Sequence, residues 1–344
     1  MQKNIDISHL SGYQTPARAR YFLEYDGHNI DDLRHATSFA KEAELPILVI
    51  AGGRNTLLAF DEYPGLVIYN NSQGYKIEQR EGINNKKSSD KASFLKEDVR
   101  TNGQVDLWDN KSSALREASG TSFKKEVYLK VSSGQPIWQL AEELESKYDI
   151  TVWHRFLGLP WSIGGAVYGN AGCFGLEIGP YVTSVEILDT KIGEVCTKTG
   201  EELNFAYRWS ECRNHPEWFI LSITCDLSQM IEKYPAPAED PLAWRSRVQP
   251  PWYSCGSFFK NPSREQTAGY LIEEVGLKWY RHGGAFFANQ HANFLMSDGT
   301  ATWRDLVELV ELAQQKVLQK FQIQLEPEVR IIQHINAKFK MQNS

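Results

Sequence analysis

Residues 158–175 read GLPWSIGGAVYGNAGCFG, a composition that no ordinary helix or strand of a packed core would carry. Six of these eighteen positions are glycine. Inside a regular element each costs about 1 kcal/mol relative to alanine, so the run needs a compensating reason. Two reasons fit: a ligand lying against bare backbone, or sheets packed too closely for side chains. The ligand reading is preferred. A second glycine stretch, Ala51-Gly52-Gly53-Arg54-Asn55, follows the apolar run Ile47-Leu48-Val49-Ile50, which reads as a short strand buried on both faces. Glycines placed there let the chain turn tightly and turn amides toward a phosphate, although a plain tight turn has the same signature. The spacing is not G-x-G-x-x-G, so no Rossmann fold is indicated.

The bounds agree with a small-ligand protein. A chain of 344 residues is long enough for two or three domains, each with its own core. Lys and Arg total 37 against 43 Asp and Glu, a net charge of −6. That balance lacks the basic footprint of a general nucleic-acid binder, and a few local cations still suffice for a nucleotide. The five cysteines (Cys173, Cys196, Cys212, Cys225 and Cys255) show neither C-x-x-C pairing nor metal-ligand spacing, which implies free thiols in a reducing compartment and no metal. The segment MQKNIDISHLSG has no apolar stretch of the signal-peptide kind, and no run is long enough to cross a membrane. The expectation is a soluble cytoplasmic protein; nothing in the pattern sets its oligomeric state, for which a monomer is the starting assumption.

Along the chain, residues 31–44 read as a helix with Leu33, Ala36, Ala40 and Ala43 on one face, Asn29 at its cap and Pro46 beyond its end. Residues 66–69 follow as a strand. From 78 to 125 Lys, Ser, Asp, Asn and Glu dominate with no sustained period, which reads as a polar insertion. A strand resumes at 127–131, and Pro136 opens an amphipathic helix bearing Ile137, Leu140, Ala141 and Leu144. Strands at 182–188 and 219–225 bracket Phe205-Ala206-Tyr207-Arg208-Trp209-Ser210, where aromatic neighbours can hold an arginine's planar fork toward a carboxylate. A surface ion pair is the commoner fate of a single arginine. Residues 235–251 are proline-rich and read as a linker. A helix is expected at 267–275, a strand after His291-Ala292-Asn293-Phe294, and a long helix capped by Thr302 with Leu306, Val310, Ala313, Val317 and Phe321 as its stripe. A last strand spans 329–332.

Gly256-Ser257-Phe258-Phe259-Lys260-Asn261-Pro262 brings a hydroxyl, two rings, a cation, a carboxamide and a backbone stop into seven residues. Pro262 ends the extended run, and a Ser257 hydroxyl held against a substrate can give or take a proton. On its own, a satisfied serine at a strand end explains Ser257 as well.

Taken in order and spacing, GLPWSIGGAVYGNAG, FAYRWS, GSFFKNP, AGYLIEEVGLK, GGAFFANQHANF and LEPEVRII resemble the UDP-N-acetylenolpyruvoylglucosamine reductase (MurB) family of peptidoglycan-synthesis flavoenzymes, from about Thr15 to Gln333 apart from the insertion. The resemblance implies an α+β fold: a two-subdomain FAD-binding part of the vanillyl-alcohol oxidase (PCMH-like) type plus a smaller α+β substrate-binding domain. It implies subdomains at 1–77 and 126–234, the polar insertion at 78–125, a substrate domain at 235–324, and a strand and tail at 325–344 that return to the FAD part. The tight join of GSFFKNP to AGYLIEE is similar to the shorter subtype, which lacks an extra substrate-covering loop. The implied reaction is NADPH-dependent, FAD-mediated reduction of UDP-N-acetylglucosamine enolpyruvate, with a nucleotide-sugar as the only partner.

Position by position, Ser257 matches the general acid, Glu328 the active-site glutamate and Arg208 the active-site arginine. Ala51, Gly52, Gly53, Arg54 and Asn55, with Gly158, Pro160, Ser162, Gly164, Gly165, Asn170 and Gly172, match FAD-contacting positions. Lys260, Asn261 and Arg330 fall where the nucleotide substrate is handled. Departures stand at Arg54, where the family has serine, and at Trp161 and Trp279, where it has glycine; Ala-Arg-Tyr-Phe likewise replaces an expected Gly-Gly near residue 20. The competing reading is a divergent flavin- or nucleotide-binding protein that keeps the scaffold without the reductase activity.

Overall fold

Three units, each built on a four- or five-stranded sheet, make up the computed structural model, which describes residues 1–81, 125–234, 237, 239–251 and 253–333. The first unit contains β1 (Gln2–Asp6), β2 (Arg18–Tyr25), α1 (Ile30–Glu42), β3 (Ile47–Ile50), β4 (Thr56–Ala59) and β5 (Glu62–Asn70). Its sheet runs β1-β2-β5-β3, with β2 and β3 both parallel to β5. The Asn29 side chain accepts from the Asp31 amide and starts α1, which buries Leu33, Ala36 and Ala40 but leaves Ala43 outside. In β3 only Leu48 and Ile50 are fully buried; Ile47 and Val49 are half-buried, packed against core and also bordering a cavity.

The second unit comprises β6 (Tyr75–Glu81), β7 (Lys125–Ser132), α2 (Ile137–Tyr148), the short helix α3 (Ile163–Tyr168), the hairpin β8 (Gly172–Cys173) and β9 (Leu176–Glu177), then β10 (Val182–Asp189), β11 (Glu194–Thr199), β12 (Trp218–Asp226) and α4 (Leu227–Lys233). Its sheet order is β11-β10-β12-β7-β6. The expected insertion is therefore too wide by a few residues: 78–81 continue β6 and 125 opens β7, the two pairing in antiparallel register. The polar sequence misled because β6 is an edge strand. Tyr75 and Ile77 lean on the core while Lys76 and Glu78 pair with each other at 2.6 Å on the other face. Residues 82–124 lie outside the described residues.

The supposed linker also holds structure: α5 (Pro241–Val248) is capped by Asp240, and Arg245 is buried, donating to the carbonyls of Leu157 and Arg155 at 2.9 and 3.0 Å. The third unit follows with β13 (Tyr253–Ser257), α6 (Ala268–Glu274), β14 (Arg281–His282), β15 (Ala285–Phe287), β16 (Phe294–Ser297) and α7 (Trp303–Phe321). Thr302 and Asp305 form a reciprocal capping box, and α7 buries Leu306, Leu309, Val310, Ala313 and Val317 against the sheet β13-β16-β15-β14. The last strand, β17 (Arg330–Gln333), runs parallel to β4, so the end of the chain is stitched to the first unit.

Candidate active site

The first two units and the segment leading into β17 meet at one cavity that opens to solvent. Its walls come from β3 and the following turn, from the 161–171 region, from the 208–220 region, and from Glu328 and Arg330.

Glu328 touches all three units. Its amide donates to the carbonyl of Phe258 at 2.8 Å, next to Ser257 in the third unit. Its carbonyl accepts from the Asn55 side chain of the first unit at 3.2 Å. Its carboxylate stands 2.9 Å from Nε of Arg208 in the second. The Arg208 contact is a charge contact, since that N–H is not aligned into a hydrogen bond. Burial pushes the Glu328 carboxyl above the usual carboxylate range, against the opposing pull of Arg208, Arg213 and Lys260. A carboxyl held up in that way keeps its proton to higher pH than a solvated one and is a candidate to hand one on.

Arg208 is placed by a tight turn in which Ala206 and Trp209 exchange backbone hydrogen bonds at 3.1 and 3.0 Å. The arginine itself sits at φ 56°, an uncommon backbone state for a branched-free but bulky residue, of the kind found where surroundings over-determine a position. Asn170 supplies that constraint: its Nδ2 donates to the Ala206 carbonyl at 2.8 Å and its Oδ1 accepts from the Gly179 amide at 2.9 Å. Ser210 donates to the Tyr168 carbonyl at 2.9 Å. The guanidinium lies over the Tyr207 ring and donates from Nη2 to the Gly172 carbonyl at 3.2 Å.

Ser257 does not line this cavity. It ends β13, one residue before the Phe258 carbonyl that binds Glu328, and its hydroxyl has no hydrogen-bond partner among the described residues. Gly256, at φ 78°, accompanies an irregularity in the β13–β16 register just before it, a device that re-aims a side chain at a strand end.

Of the expected cofactor positions, Ala51, Gly52, Gly53, Arg54, Asn55, Ser162, Gly164 and Gly165 all line the cavity. Their glycines divide between the two reasons weighed from the sequence. A Cβ on Gly53 would stand 1.9 Å from the Leu10 carbonyl, and one on Gly164 would meet Ser133 at 2.9 Å, so protein packing requires both. At Gly165 an added Cβ meets only Ser162 Oγ, and at Gly169 only Gly165 O and Arg213 Nη2, so side chains there would enter the cavity. Gly158, Pro160, Asn170 and Gly172 stand outside the lining. Gly158 makes room for Leu242 and Arg245, the Pro160 carbonyl packs on Gly52, and Asn170 and Gly172 hold the Arg208 turn. Trp161 half-buries against the wall, whereas Trp279 is exposed at the far side of the third unit at φ 62°.

Of the substrate positions, Arg330 lines the cavity, donating to the Val49 carbonyl at 3.3 Å and lying over the Tyr168 ring. Lys260 ion-pairs with Glu326, and its amide donates to the Glu326 carbonyl at 2.9 Å. Asn261 accepts from the Ala268 amide at 3.0 Å and so steadies the start of α6. Sequence reading passed over Arg213 and the group His215-Pro216-Trp218, all of which line the cavity. His215 stacks on Trp218 with centroids 3.7 Å apart and is held by Glu217 at 2.9 Å. The dense run RNHPEW, five residues after Arg208, was the available signal.

An extended dinucleotide such as FAD fits what is observed. Two glycines open into the space, the Ile47–Val49 and Trp218–Ile220 faces are apolar, and four guanidiniums (Arg54, Arg208, Arg213, Arg330) line it with a single carboxylate. Among the described residues no group of three His, Cys, Asp or Glu is arranged to hold a metal, and no helix is long and apolar enough to cross a membrane.

Residues 249–332 match the family model described as the C-terminal domain of UDP-N-acetylenolpyruvoylglucosamine reductase. The chain is 30% identical over 334 residues to the UDP-N-acetylenolpyruvoylglucosamine reductase of Acaryochloris marina, covering 96% of this chain and 92% of that protein. It is 28% identical to the Synechococcus sp. protein of the same name, over 96% and 91% of the two chains. Among solved structures, the crystal structure of UDP-N-acetylenolpyruvylglucosamine reductase (MurB) from Thermus caldophilus superposes with a TM-score of 0.63 at 23% identity, covering 96% and 98%, a likeness of fold.

Proposed function

The chain belongs to the UDP-N-acetylenolpyruvoylglucosamine reductase family, and from that premise we propose how its own residues serve the reaction. It is an FAD-dependent, NADPH-using oxidoreductase that reduces UDP-N-acetylglucosamine enolpyruvate to UDP-N-acetylmuramate in peptidoglycan precursor synthesis. The chemistry that bound FAD would supply is hydride transfer from NADPH to the substrate's β carbon. The turns at 51–55 and 162–165 hold the cofactor, with apolar walls excluding water from the space between the first two units.

Arg208 balances the negative charge that gathers on the substrate carboxylate as the β carbon is reduced, where a fixed guanidinium is worth most because it need not reorganise. Ser257 delivers a proton to the α carbon. A serine is a weak acid, so it depends on placement and on Glu328, whose raised carboxyl polarises the substrate or relays the proton. Arg330 and Lys260 stand on the substrate's nucleotide side. The observation that carries this reading is the Arg208–Glu328 contact inside the guanidinium-lined cavity, with Ser257 one residue from Glu328's backbone partner. The protein works as a cytoplasmic monomer, and its product feeds wall growth, cell shape and division.

The deciding experiment measures NADPH oxidation by full-length protein of known flavin content, with and without UDP-N-acetylglucosamine enolpyruvate. Turnover that depends on the enolpyruvate is expected. Flavin-loaded protein that oxidises no NADPH when the enolpyruvate is added would instead be a binding protein on the same scaffold.

A further inference from the structure

The four arginines of the cavity differ in what the protein gives them. Arg208 meets Glu328, Arg330 donates to the Val49 carbonyl, and Arg213 lies across the Tyr168 ring. Arg54 has none of these: its side chain makes no hydrogen bond and no ion pair with any described residue. Yet its backbone is pinned. Residues 53–56 form a turn closed by the Thr56 amide on the Gly53 carbonyl at 3.2 Å, and the Gly12 amide donates to that same carbonyl at 3.2 Å. Gly53, at φ 62°, is packed on Leu10 so closely that the turn cannot slide. A partly buried cation without a counter-charge is unfavourable, and a rigid turn that holds one into a cavity short of anions is a feature of ligand binding.

We infer that Arg54 is a diphosphate-binding residue, its guanidinium standing where the family resemblance leads one to expect a serine hydroxyl and taking the diphosphate of bound FAD. The inference rests on the cofactor reading above. The planar fork presents paired N–H groups that match phosphoryl oxygens, a geometry a hydroxyl lacks. A Cβ at Gly52 would come within 3.0 Å of the Pro160 carbonyl, so the turn is packed on that side too. The nucleotide-sugar brings a diphosphate too, and the test separates the two.

Full-length wild-type, Arg54→Ala and Arg54→Lys proteins are dialysed to equilibrium against graded FAD at low and high salt, and the FAD-loaded forms are then titrated with UDP while flavin absorbance is followed. Arg54→Ala is expected to bind FAD about 10- to 100-fold more weakly than wild type, a range set by a charge-assisted hydrogen bond to phosphate. Arg54→Lys should fall between, because it keeps charge and loses the fork. Salt should weaken FAD binding more in wild type than in Arg54→Ala. Unchanged or tighter FAD binding by Arg54→Ala would show that the arginine crowds the site and overturn the inference. Normal FAD binding with weakened UDP binding would move the clamp to the substrate and overturn it as stated. If wild type itself took up no FAD, the cofactor reading would fail, a separate outcome. Circular dichroism guards against misfolding, and Arg54→Lys carries the comparison should Arg54→Ala not fold.

Discussion

Replacing Glu328 with glutamine keeps the side chain's shape and deletes one charge beside Arg208. At an effective dielectric near 20, two unit charges about 4 Å apart attract by roughly 4 kcal/mol, which suggests a large loss of stability. The structure argues otherwise. Burial raises the Glu328 carboxyl even though Arg208, Arg213 and Lys260 all pull it down, so desolvation outweighs the attraction at this site. After the change Arg208 keeps the Gly172 carbonyl and the Tyr207 ring. The net effect on stability should therefore be about 1 kcal/mol or less, within the range of ordinary substitutions away from the core.

The sign with pH follows. A carboxyl whose folded pKa is raised contributes stability that is fully present below its unfolded value, near 4.5, and is lost as pH rises through the folded value. Glutamine has no such term. The melting temperature of Glu328→Gln relative to wild type should consequently become more favourable between about pH 4 and pH 8. Turnover of the enolpyruvate, by contrast, should fall about 10²- to 10⁴-fold, the usual loss of a proton-handling group. Thermal melts across that pH range, paired with steady-state kinetics at matched flavin content, measure both. A variant that kept more than a tenth of the turnover, or whose relative stability declined with rising pH, would refute the reasoning.

Ser257→Ala should leave reduction of the flavin by NADPH intact in stopped-flow absorbance while abolishing product; equal loss of both half-reactions would remove Ser257 from the proton step. Asn170→Ala frees the Ala206 carbonyl and the Gly179 amide together, so kcat should drop at unchanged flavin content as Arg208 loses its setting. Release of flavin would mean that Asn170 instead supports the cofactor cavity. Gly53→Ala forces a Cβ to within 1.9 Å of the Leu10 carbonyl at a positive φ, and should cost several kcal/mol in denaturant melts and lower the flavin bound on purification; a melt like wild type would show that the turn can move.

How much of this could be read from the residues depended on whether the relevant physics was local. The caps at Asn29, Thr267 and Thr302 and the stripe of α7 are set by spacing within one element, and the chain folds there as its sequence suggests. The glycine run was harder, because composition cannot say which side of each glycine faces protein. Gly164 turned out to serve packing and Gly165 the cavity, although they are neighbours. The same limit applies to β3: an apolar residue looks alike whether it meets core alone, as Leu48 does, or also borders the cavity, as Val49 does. A proline-rich stretch concealed α5, since its buried anchors, Pro241 and Arg245, are residue types read by default as exposed.

Glu328 is the sharpest case. Its neighbour Arg330 lines the same cavity, but the setting of Glu328 comes from Asn55, 273 positions earlier, from Arg208, and from the Phe258 carbonyl. Each contact belongs to a different unit. A single carboxylate that three units must agree upon can be held at a raised pKa only when all three are docked, so proton handling and assembly of the fold depend on one residue. Loosening any of the three contacts should therefore lower the Glu328 pKa toward its solvent value before it unfolds the protein, because water reaches the carboxyl as soon as one wall withdraws.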